Sequence, residues 1–249
     1  MRTFWLLLLV SCARPASAPV HLAPIAATPP PAPAASVEAA PTPPAKCAYD
    51  VRTASQTWDF HVETDRPCRS SDVADCGAAT LAVRDKRGNE IQTLPLESLC
   101  LVESAPGALL ANSAELYDSQ GTILVGDFDF DGREDFAVQV GEDGPYGGPT
   151  FDVFLGGTGA FTRSEKLSAL TRETLGFFEV DAKNHRLVTR SKSGCCWHRT
   201  EVLEVHGGVP TPVERYTEDA TDPNGAVVVD TEEKLVRGKW VRTVKRRKP

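Results

Sequence analysis

Residues 122–140 read TILVGDFDFDGREDFAVQV, and this stretch predicts two strands joined by an acidic loop. The apolar runs Ile123–Val125 and Phe136–Val140 are short and rich in β-branched and aromatic residues, as buried strands are. Between them lies the pattern D-x-D-x-D-G-x-x-D. An EF-hand begins similarly, but it needs flanking helices and a Glu at the twelfth loop position, where this chain has Val138. We therefore expect a strand–loop–strand unit.

The donor atoms of this loop predict a hard cation such as Ca²⁺, which takes about six to eight oxygen ligands. Without a cation, carboxylates crowded into so short a loop would repel each other. Gly132 permits the sharp turn that lets alternate side chains converge. The alternative is an acidic hairpin turn without metal. The candidate ligands are the carboxylates of Asp127, Asp129, Asp131 and Asp135 and the backbone carbonyl of Arg133.

The rest of residues 47–249 predicts an all-β, mostly antiparallel domain, either a barrel or a sandwich. Alternating apolar and polar residues recur between frequent turn signals such as His206-Gly207-Gly208. Ser164–Glu173 is the only segment that favours a helix, and a turn is the alternative. Further strands are predicted at Thr57–Thr64, Ala79–Arg84, Glu90–Leu94, Phe151–Leu155, Phe177–Val180, Leu187–Arg190, Trp197–Val205, Val209–Tyr216, Ala226–Val229 and Lys239–Val244.

The first 46 residues predict export and tethering. Arg2 precedes the apolar run Phe4–Val10, and Leu9-Val10-Ser11-Cys12 resembles a bacterial lipobox, so we expect residues 1–11 to be a lipoprotein signal peptide and Cys12 to be acylated. Cleavage after Ala18, as in an ordinary signal peptide, is the alternative. Residues 12–46 contain ten Pro and twelve Ala. Such a segment is a disordered, extended tether with a reach of roughly 100 Å.

Export makes disulfide bonds the expected state of the cysteines of the soluble domain. Their pairing stays open: Cys68 with Cys76 and Cys47 with Cys100 are plausible, and Cys195 and Cys196 could join each other or separate partners. A thiol nucleophile next to His198 is the less favoured alternative, because disulfide formation removes the thiol. The six cysteines concerned are Cys47, Cys68, Cys76, Cys100, Cys195 and Cys196.

The charge distribution argues against nucleic acid and membrane partners for the body of the protein. The chain has a formal net charge of −7, and its last sixteen residues contain eight Lys and Arg and no acid. Residues 47–233 therefore carry −17, whereas residues 1–46 carry +2. A body this acidic attracts cations and basic proteins. No nucleophile elbow, zinc-binding helix or phosphate-binding loop is present in the sequence, so we expect no enzyme.

A glycine- and proline-rich segment, GPYGGPTFDVFL at 144–155, follows the acidic loop. It predicts a shaped loop that presents Tyr146, or else a tight connection in which Tyr146 packs inward. The segment Ser193-Gly194-Cys195-Cys196-Trp197-His198 comes next.

These three segments in this order resemble a family of bacterial periplasmic lipoproteins with a single integrin-type (FG-GAP) calcium loop. The family is similar to periplasmic lysozyme inhibitors and includes immunity proteins against toxins that cleave peptidoglycan. The resemblance covers about residues 114–216. It implies a calcium site at the loop residues given above. It also implies an inhibitory loop at Asp143, Gly144, Tyr146, Gly147 and Gly148, with Asp143 where the family has Ser.

Two functions follow as expectations. The first is an outer-membrane lipoprotein facing the periplasm that binds Ca²⁺ and sterically inhibits a lysozyme-like hydrolase, with a lipid anchor as its only membrane contact. The second is a calcium-dependent adhesion or glycan-binding module of the envelope. A carbohydrate-active enzyme is a weaker third hypothesis.

Overall fold

The computed structural model describes residues 46–66, 75–117 and 120–249. The predicted signal peptide, Cys12, most of the tether, and Cys68 lie outside these residues. Within the described part of the chain, no helix is long and apolar enough to cross a membrane.

The described residues form sixteen strands, one α-helix and one 3-10 turn. The strands are β1 (Cys47–Val51), β2 (Trp58–Thr64), β3 (Asp75–Asp85), β4 (Glu90–Leu101), β5 (Glu103–Ala105), β6 (Ala108–Leu109), β7 (Ile123–Gly126), β8 (Asp135–Gly141), β9 (Thr150–Gly156), β10 (Phe161–Arg163), β11 (Glu179–Asp181), β12 (Arg186–Ser193), β13 (Trp197–His206), β14 (Val209–Asp219), β15 (Val228–Val236) and β16 (Lys239–Arg247). The helix α1 spans Glu165–Glu173, and the 3-10 turn spans Pro145–Gly147.

Three antiparallel meanders organise these strands. The first sheet has the order β1-β2-β3-β4, the second β10-β9-β8-β7, and the third β11-β12-β13-β14-β15-β16. A small hairpin, β5-β6, lies between the first and second sheets in the chain. The predicted mostly antiparallel β fold is confirmed, but the barrel alternative is wrong, because none of these sheets closes on itself.

The second sheet is the middle layer, because its alternating side chains enter two different cores. Phe136 and Val138 of β8 pack into the core shared with the first sheet. Their neighbour Ala137, together with Phe151 and Val153 of β9, packs into the core shared with α1 and the third sheet. The loop between β7 and β8 is therefore anchored in the most buried layer of the fold.

Helix α1 covers part of β9 and completes its hydrogen bonding. Ser164 caps the helix, since its hydroxyl accepts from the Leu167 N–H, so the helix predicted for 164–173 is confirmed. The Ser168 hydroxyl accepts from the Val153 N–H at 2.9 Å, and the Thr171 hydroxyl accepts from the Phe151 N–H at 2.9 Å. Two buried backbone donors of β9 that would otherwise lack partners are satisfied in this way.

Some strand boundaries differ from the prediction. The strand predicted at Glu90–Leu94 continues to Leu101, because β4 follows β3 along its whole length. The sequence predicts a strand at Phe177–Val180, whereas the observed strand β11 is Glu179–Asp181. Phe177 and Phe178 are instead side chains of the second core, where burying two adjacent aromatic rings prevails over strand alternation.

The disulfides correct two of the suggested pairings. Cys76 of β3 pairs with Cys100 of β4, at directly opposed positions in the sheet, so neither Cys68–Cys76 nor Cys47–Cys100 forms. Cys47 is itself disulfide-bonded. Cys195 and Cys196 pair with each other in the turn between β12 and β13.

Candidate functional site

The loop between β7 and β8 brings three of the four predicted aspartates to one point. Asp127, Asp129 and Asp135 each offer a carboxylate oxygen within 4.8 Å of the others. Gly132 and Phe130 adopt left-handed φ values of 86° and 62°, and these values curl the loop so that the alternate side chains converge. The geometry is that of an oxygen-lined cradle.

Asp135 is the buried member of this cradle, with 1% of its surface exposed. Its two carboxylate oxygens accept hydrogen bonds from the Phe128 N–H at 2.7 Å and the Gly156 N–H at 2.8 Å. Burial raises the pKa of Asp135 to about 7, although these two hydrogen bonds oppose the shift; the charges of Asp129 and Asp127 raise it further. The pKa of Asp129 is raised as well, first by burial and then by the charge of Asp131.

Asp131 differs from the other three, because an arginine already engages its carboxylate. One oxygen accepts from the Arg133 backbone N–H at 2.9 Å, and the other forms an ion pair with the Arg133 guanidinium. The same guanidinium donates to the Gly156 carbonyl at 2.9 Å. The structure therefore places Asp131 outside the converging group and gives the Arg133 side chain a structural contact.

Contacts to loop segments that flank the first and third sheets hold the loop in place. Phe128 is buried and packs edge-on against Phe177 and Phe178, while Phe130 stacks on the His185 ring at a centroid distance of 5.3 Å. On the opposite side, Glu134 accepts a hydrogen bond from the Ser55 hydroxyl at 2.8 Å. The cradle is thus fixed to both cores rather than displayed on a free loop.

The donor set fits a hard divalent cation. Three carboxylates with oxygens within 4.8 Å of one another supply anionic ligands, and backbone carbonyls and water are the usual source of the remaining ligands of Ca²⁺. A cation would also offset the mutual repulsion that raises the pKa values of Asp129 and Asp135.

Tyr146 lies in the loop between β8 and β9, and its side chain is exposed and does not pack inward. Its side chain is 61% exposed, and its backbone is in the left-handed region at φ 60° and ψ 27°. A non-glycine residue in this region is uncommon and is held there by its surroundings. We call Tyr146, its loop and the facing β12–β13 turn the aromatic tip.

The base of this loop is closed by its own residues. The Thr150 hydroxyl donates to Asp143 Oδ1 at 2.7 Å, and the Gly144 N–H donates to the Gly148 carbonyl at 3.0 Å. Asp143, predicted as an inhibitory-loop residue, is therefore a partner within the loop, and Tyr146 is the side chain of the predicted set that projects from it.

The structure joins Tyr146 to the cysteine turn, 48 residues away in the chain. The Gly194 N–H donates to the Tyr146 hydroxyl at 2.6 Å. The Lys192 ammonium lies 4.5 Å from the centre of the Tyr146 ring and 5.1 Å from the centre of the Tyr117 ring. Cations over aromatic faces attract the rings electrostatically.

Lys192 and Tyr117 were not found from the sequence. Neither lies in a motif, and only the pairing of β12 with β13 brings Lys192 to the aromatic tip. Tyr117 is also exposed, at 70%, so two exposed tyrosine rings lie near one cation.

The cysteine turn offers no thiol nucleophile in this state, because Cys195 and Cys196 are bonded to each other. His198 lies 3.8 Å from a carboxylate oxygen of Glu218 on β14, and Trp197 packs under the guanidinium of Arg199. These contacts stabilise the β13 end of the turn.

Comparisons with known proteins give information on the fold of this chain. No protein-family model matches the chain, and no curated protein matches it. Among solved structures, the chain matches one described as "Structure of a Xanthomonas Type IV Secretion System related protein" with a TM-score of 0.63 and 22% sequence identity. The match covers 79% of this chain and 92% of that chain. The two proteins therefore share their fold over most of their length.

Proposed function

We propose that this protein belongs to the bacterial cell envelope and that it binds and sterically inhibits a lysozyme-like peptidoglycan hydrolase. The observation that carries the proposal is the exposed Tyr146, whose backbone is left-handed and whose side chain contacts the Gly194 amide and Lys192. The shared fold with a protein described as related to a Xanthomonas secretion system supports the placement in a bacterial envelope. The protein itself performs no chemistry in this proposal.

A rigid projecting aromatic side chain suits insertion into an enzyme cleft. Because two contacts already hold the Tyr146 ring and hydroxyl, little conformational freedom is lost on binding. Tyrosine offers an apolar ring for a sugar subsite and a hydroxyl for hydrogen bonds to the carboxyl groups that a lysozyme cleft contains. The charge of −17 on residues 47–233 would steer a basic hydrolase towards this protein.

Calcium has a supporting role in this proposal. Asp127, Asp129 and Asp135 would hold the ion through their carboxylates, and Asp131 would join them by giving up its ion pair with Arg133. When bound, Ca²⁺ supplies positive charge that neutralises the cradle. The strands that leave the cradle, β7 and β8, belong to the middle sheet, and β8 leads directly to the Tyr146 loop. We propose Cys12 as the lipid attachment site and residues 12–46 as the tether.

The test is a turbidity assay in which basic lysozymes and related hydrolases clear peptidoglycan. We expect the full oxidised chain with calcium to protect peptidoglycan in a dose-dependent manner and Tyr146→Ala to remove the protection. Tyr216→Ala is the matched control, since Tyr216 is also exposed, at 41%, but lies on β14. Equal protection by the Tyr146→Ala chain would contradict the proposed contact.

The two tyrosine rings beside Lys192 favour one second candidate, a glycan-binding module. Sugar rings stack on exposed aromatic side chains, and Tyr117 and Tyr146 are both available. Sedimentation of the protein with insoluble peptidoglycan in the absence of any hydrolase, lost on adding a chelator, would favour this candidate over the inhibitor.

A further inference from the structure

Two disulfides, Cys76–Cys100 and Cys195–Cys196, lie within the described residues and differ in the burial of their second cysteine. Cys76–Cys100 joins paired strands; Cys76 is exposed, whereas Cys100 has 0% of its surface exposed. Cys195–Cys196 joins sequence neighbours in an exposed turn, and Cys195 is an exposed residue. A reductant can reach Cys76 as well as Cys195, so the two bonds differ in the thiolate that the attack releases. Attack on Cys76 would release the Cys100 thiolate in the core, where burial disfavours its charge, whereas attack on Cys195 releases the Cys196 thiolate at a half-buried position.

We infer that Cys195–Cys196 is a thiol–disulfide exchange site for a dithiol reductant, and that its state sets the position of Tyr146. A thiolate of the reductant attacks Sγ of Cys195, forming a mixed disulfide and releasing the Cys196 thiolate, which takes up a proton. The second thiolate of the reductant then attacks its own sulfur in the mixed disulfide. This step releases the Cys195 thiolate, which is also protonated, and leaves the reductant as a disulfide. The electron pair moves from the reductant to the two cysteines.

The coupling to Tyr146 passes through one peptide unit. Gly194, whose N–H holds the Tyr146 hydroxyl, directly precedes Cys195. A disulfide between neighbouring residues closes a small ring that contains the peptide bond joining them and therefore restricts the backbone of the turn. Gly194 has φ 62° and no side chain to restrict it. Opening the ring frees the turn, and the Tyr146 hydroxyl then loses a fixed donor.

Lys192 is unaffected by this change, because it lies within β12 and pairs with His198 of β13. Reduction therefore loosens the hydroxyl end of Tyr146 while the cation stays over the ring. The expected result is a mobile aromatic tip in an otherwise unchanged domain. The exchange chemistry stands without the proposed function, and only its consequence for inhibition rests on that function.

The first experiment measures the order of reduction in the folded full chain. Dithiothreitol is titrated under native conditions, free thiols are trapped with iodoacetamide, and peptides are quantified by mass spectrometry. We expect Cys195 and Cys196 to be alkylated at a reductant concentration at least roughly tenfold lower than Cys76 and Cys100 need. Alkylation of all four at the same concentration, or of Cys76 and Cys100 first, would overturn the assignment.

The second experiment measures the coupling by amide hydrogen exchange at Gly194. Because one hydrogen bond is lost, we expect exchange to become roughly two- to tenfold faster both on reduction and in the Cys195→Ser/Cys196→Ser chain. Tyr146→Phe removes the same bond from the other side, so reduction should add little in that variant. Gly207, in the turn between β13 and β14, is the internal control. An unchanged Gly194 rate on reduction would show that the turn does not depend on the disulfide.

Inhibition assays separate the two proposals. If Tyr146→Ala abolishes protection while the reduced chain protects as well as the oxidised chain, the coupling is wrong and the proposed function stands. If Tyr146→Ala has no effect but selective alkylation and faster Gly194 exchange are seen, the exchange site stands and the proposed function is wrong.

Discussion

Replacing Asp152 by asparagine should destabilise the fold by about 2 kcal/mol at neutral pH. Asp152 Oδ1 accepts from Arg163 of β10 at 2.8 Å and from Arg172 of α1 at 2.6 Å, so one carboxylate joins β9 to both neighbours. Burial alone would raise the pKa of Asp152, but the two arginines outweigh it and hold the pKa below its ordinary value.

The size of the predicted destabilisation depends on which hydrogen bonds an asparagine at position 152 can still accept. A hydrogen bond to a charged group contributes about 1.5–3 kcal/mol, roughly twice a neutral one. Asparagine can still accept from both arginines, so about half of each interaction is lost. Water also reaches Arg163 and Arg172, which are 31% and 38% exposed, and this limits the loss further.

Urea unfolding at a series of pH values measures the effect. With a slope of about 2–3 kcal/mol per molar urea, the midpoint should fall by about 0.7–1 M at pH 7. The stabilisation is present above the ordinary Asp pKa of about 3.9 and is lost as the pH falls through the lowered pKa of Asp152. The two proteins should therefore differ equally at pH 7 and 5 and converge below pH 4.

Glu165→Gln is the matched control, because Glu165 also contacts Arg163 but is 78% exposed. We expect Glu165→Gln to cost less than about 0.5 kcal/mol, as exposed ion pairs do. Equal costs for the two variants, or a difference between wild type and Asp152→Asn that stays constant to pH 3, would refute the reasoning.

Three further predictions concern the cradle and the aromatic tip. Calcium at about 100 times its dissociation constant should raise the unfolding free energy measured by calorimetry by about 2.7 kcal/mol. Asp135→Asn should remove this stabilisation. Asp131→Asn should only weaken it, because Asp131 already forms an ion pair with Arg133. Phe128→Ala should lower the unfolding free energy in urea titration by about 3–5 kcal/mol, since Phe128 is 2% exposed; a loss below about 1 kcal/mol would show that its ring does not anchor the loop. Lys192→Met should raise the inhibition constant roughly two- to fivefold through the lost cation–π contacts, and an unchanged constant would contradict their positioning role.

Much of the fold could be predicted because it depends on neighbours in the sequence. Alternation or short apolar runs placed β2, β8 and β9 within one or two residues of their observed limits. The glycine pair at 207–208 ends β13 because both residues take positive φ values, which suit a tight hairpin. The spacing of Asp127, Asp129 and Asp135 is likewise local, and their carboxylates lie within 4.8 Å of one another.

Other features depended on partners far away in the chain. Asp131 belongs to the same sequence motif as Asp127, Asp129 and Asp135, but its carboxylate forms an ion pair with Arg133. The Arg133 guanidinium also donates to the Gly156 carbonyl. Phe177 and Phe178 looked like the start of a strand, but the space left around Phe128 made them core residues. A local sequence pattern contains no information about the space that packing of distant elements leaves for a side chain.

The sequence by itself determined most of the strands, the acidic loop and the turn that contains Tyr146, but not the exposure of that side chain, because spacing, side-chain shape and backbone preference act within a few residues. Only the tertiary structure decided that Cys76 pairs with Cys100 and that Tyr146 meets Gly194 and Lys192. The disulfide follows from the register of β3 with β4 within one sheet, and the Tyr146 contacts follow from the position of the β8–β9 loop beside the β12–β13 turn of another sheet. The stacking of the three meanders around two cores sets that register, and it is a property of the whole chain.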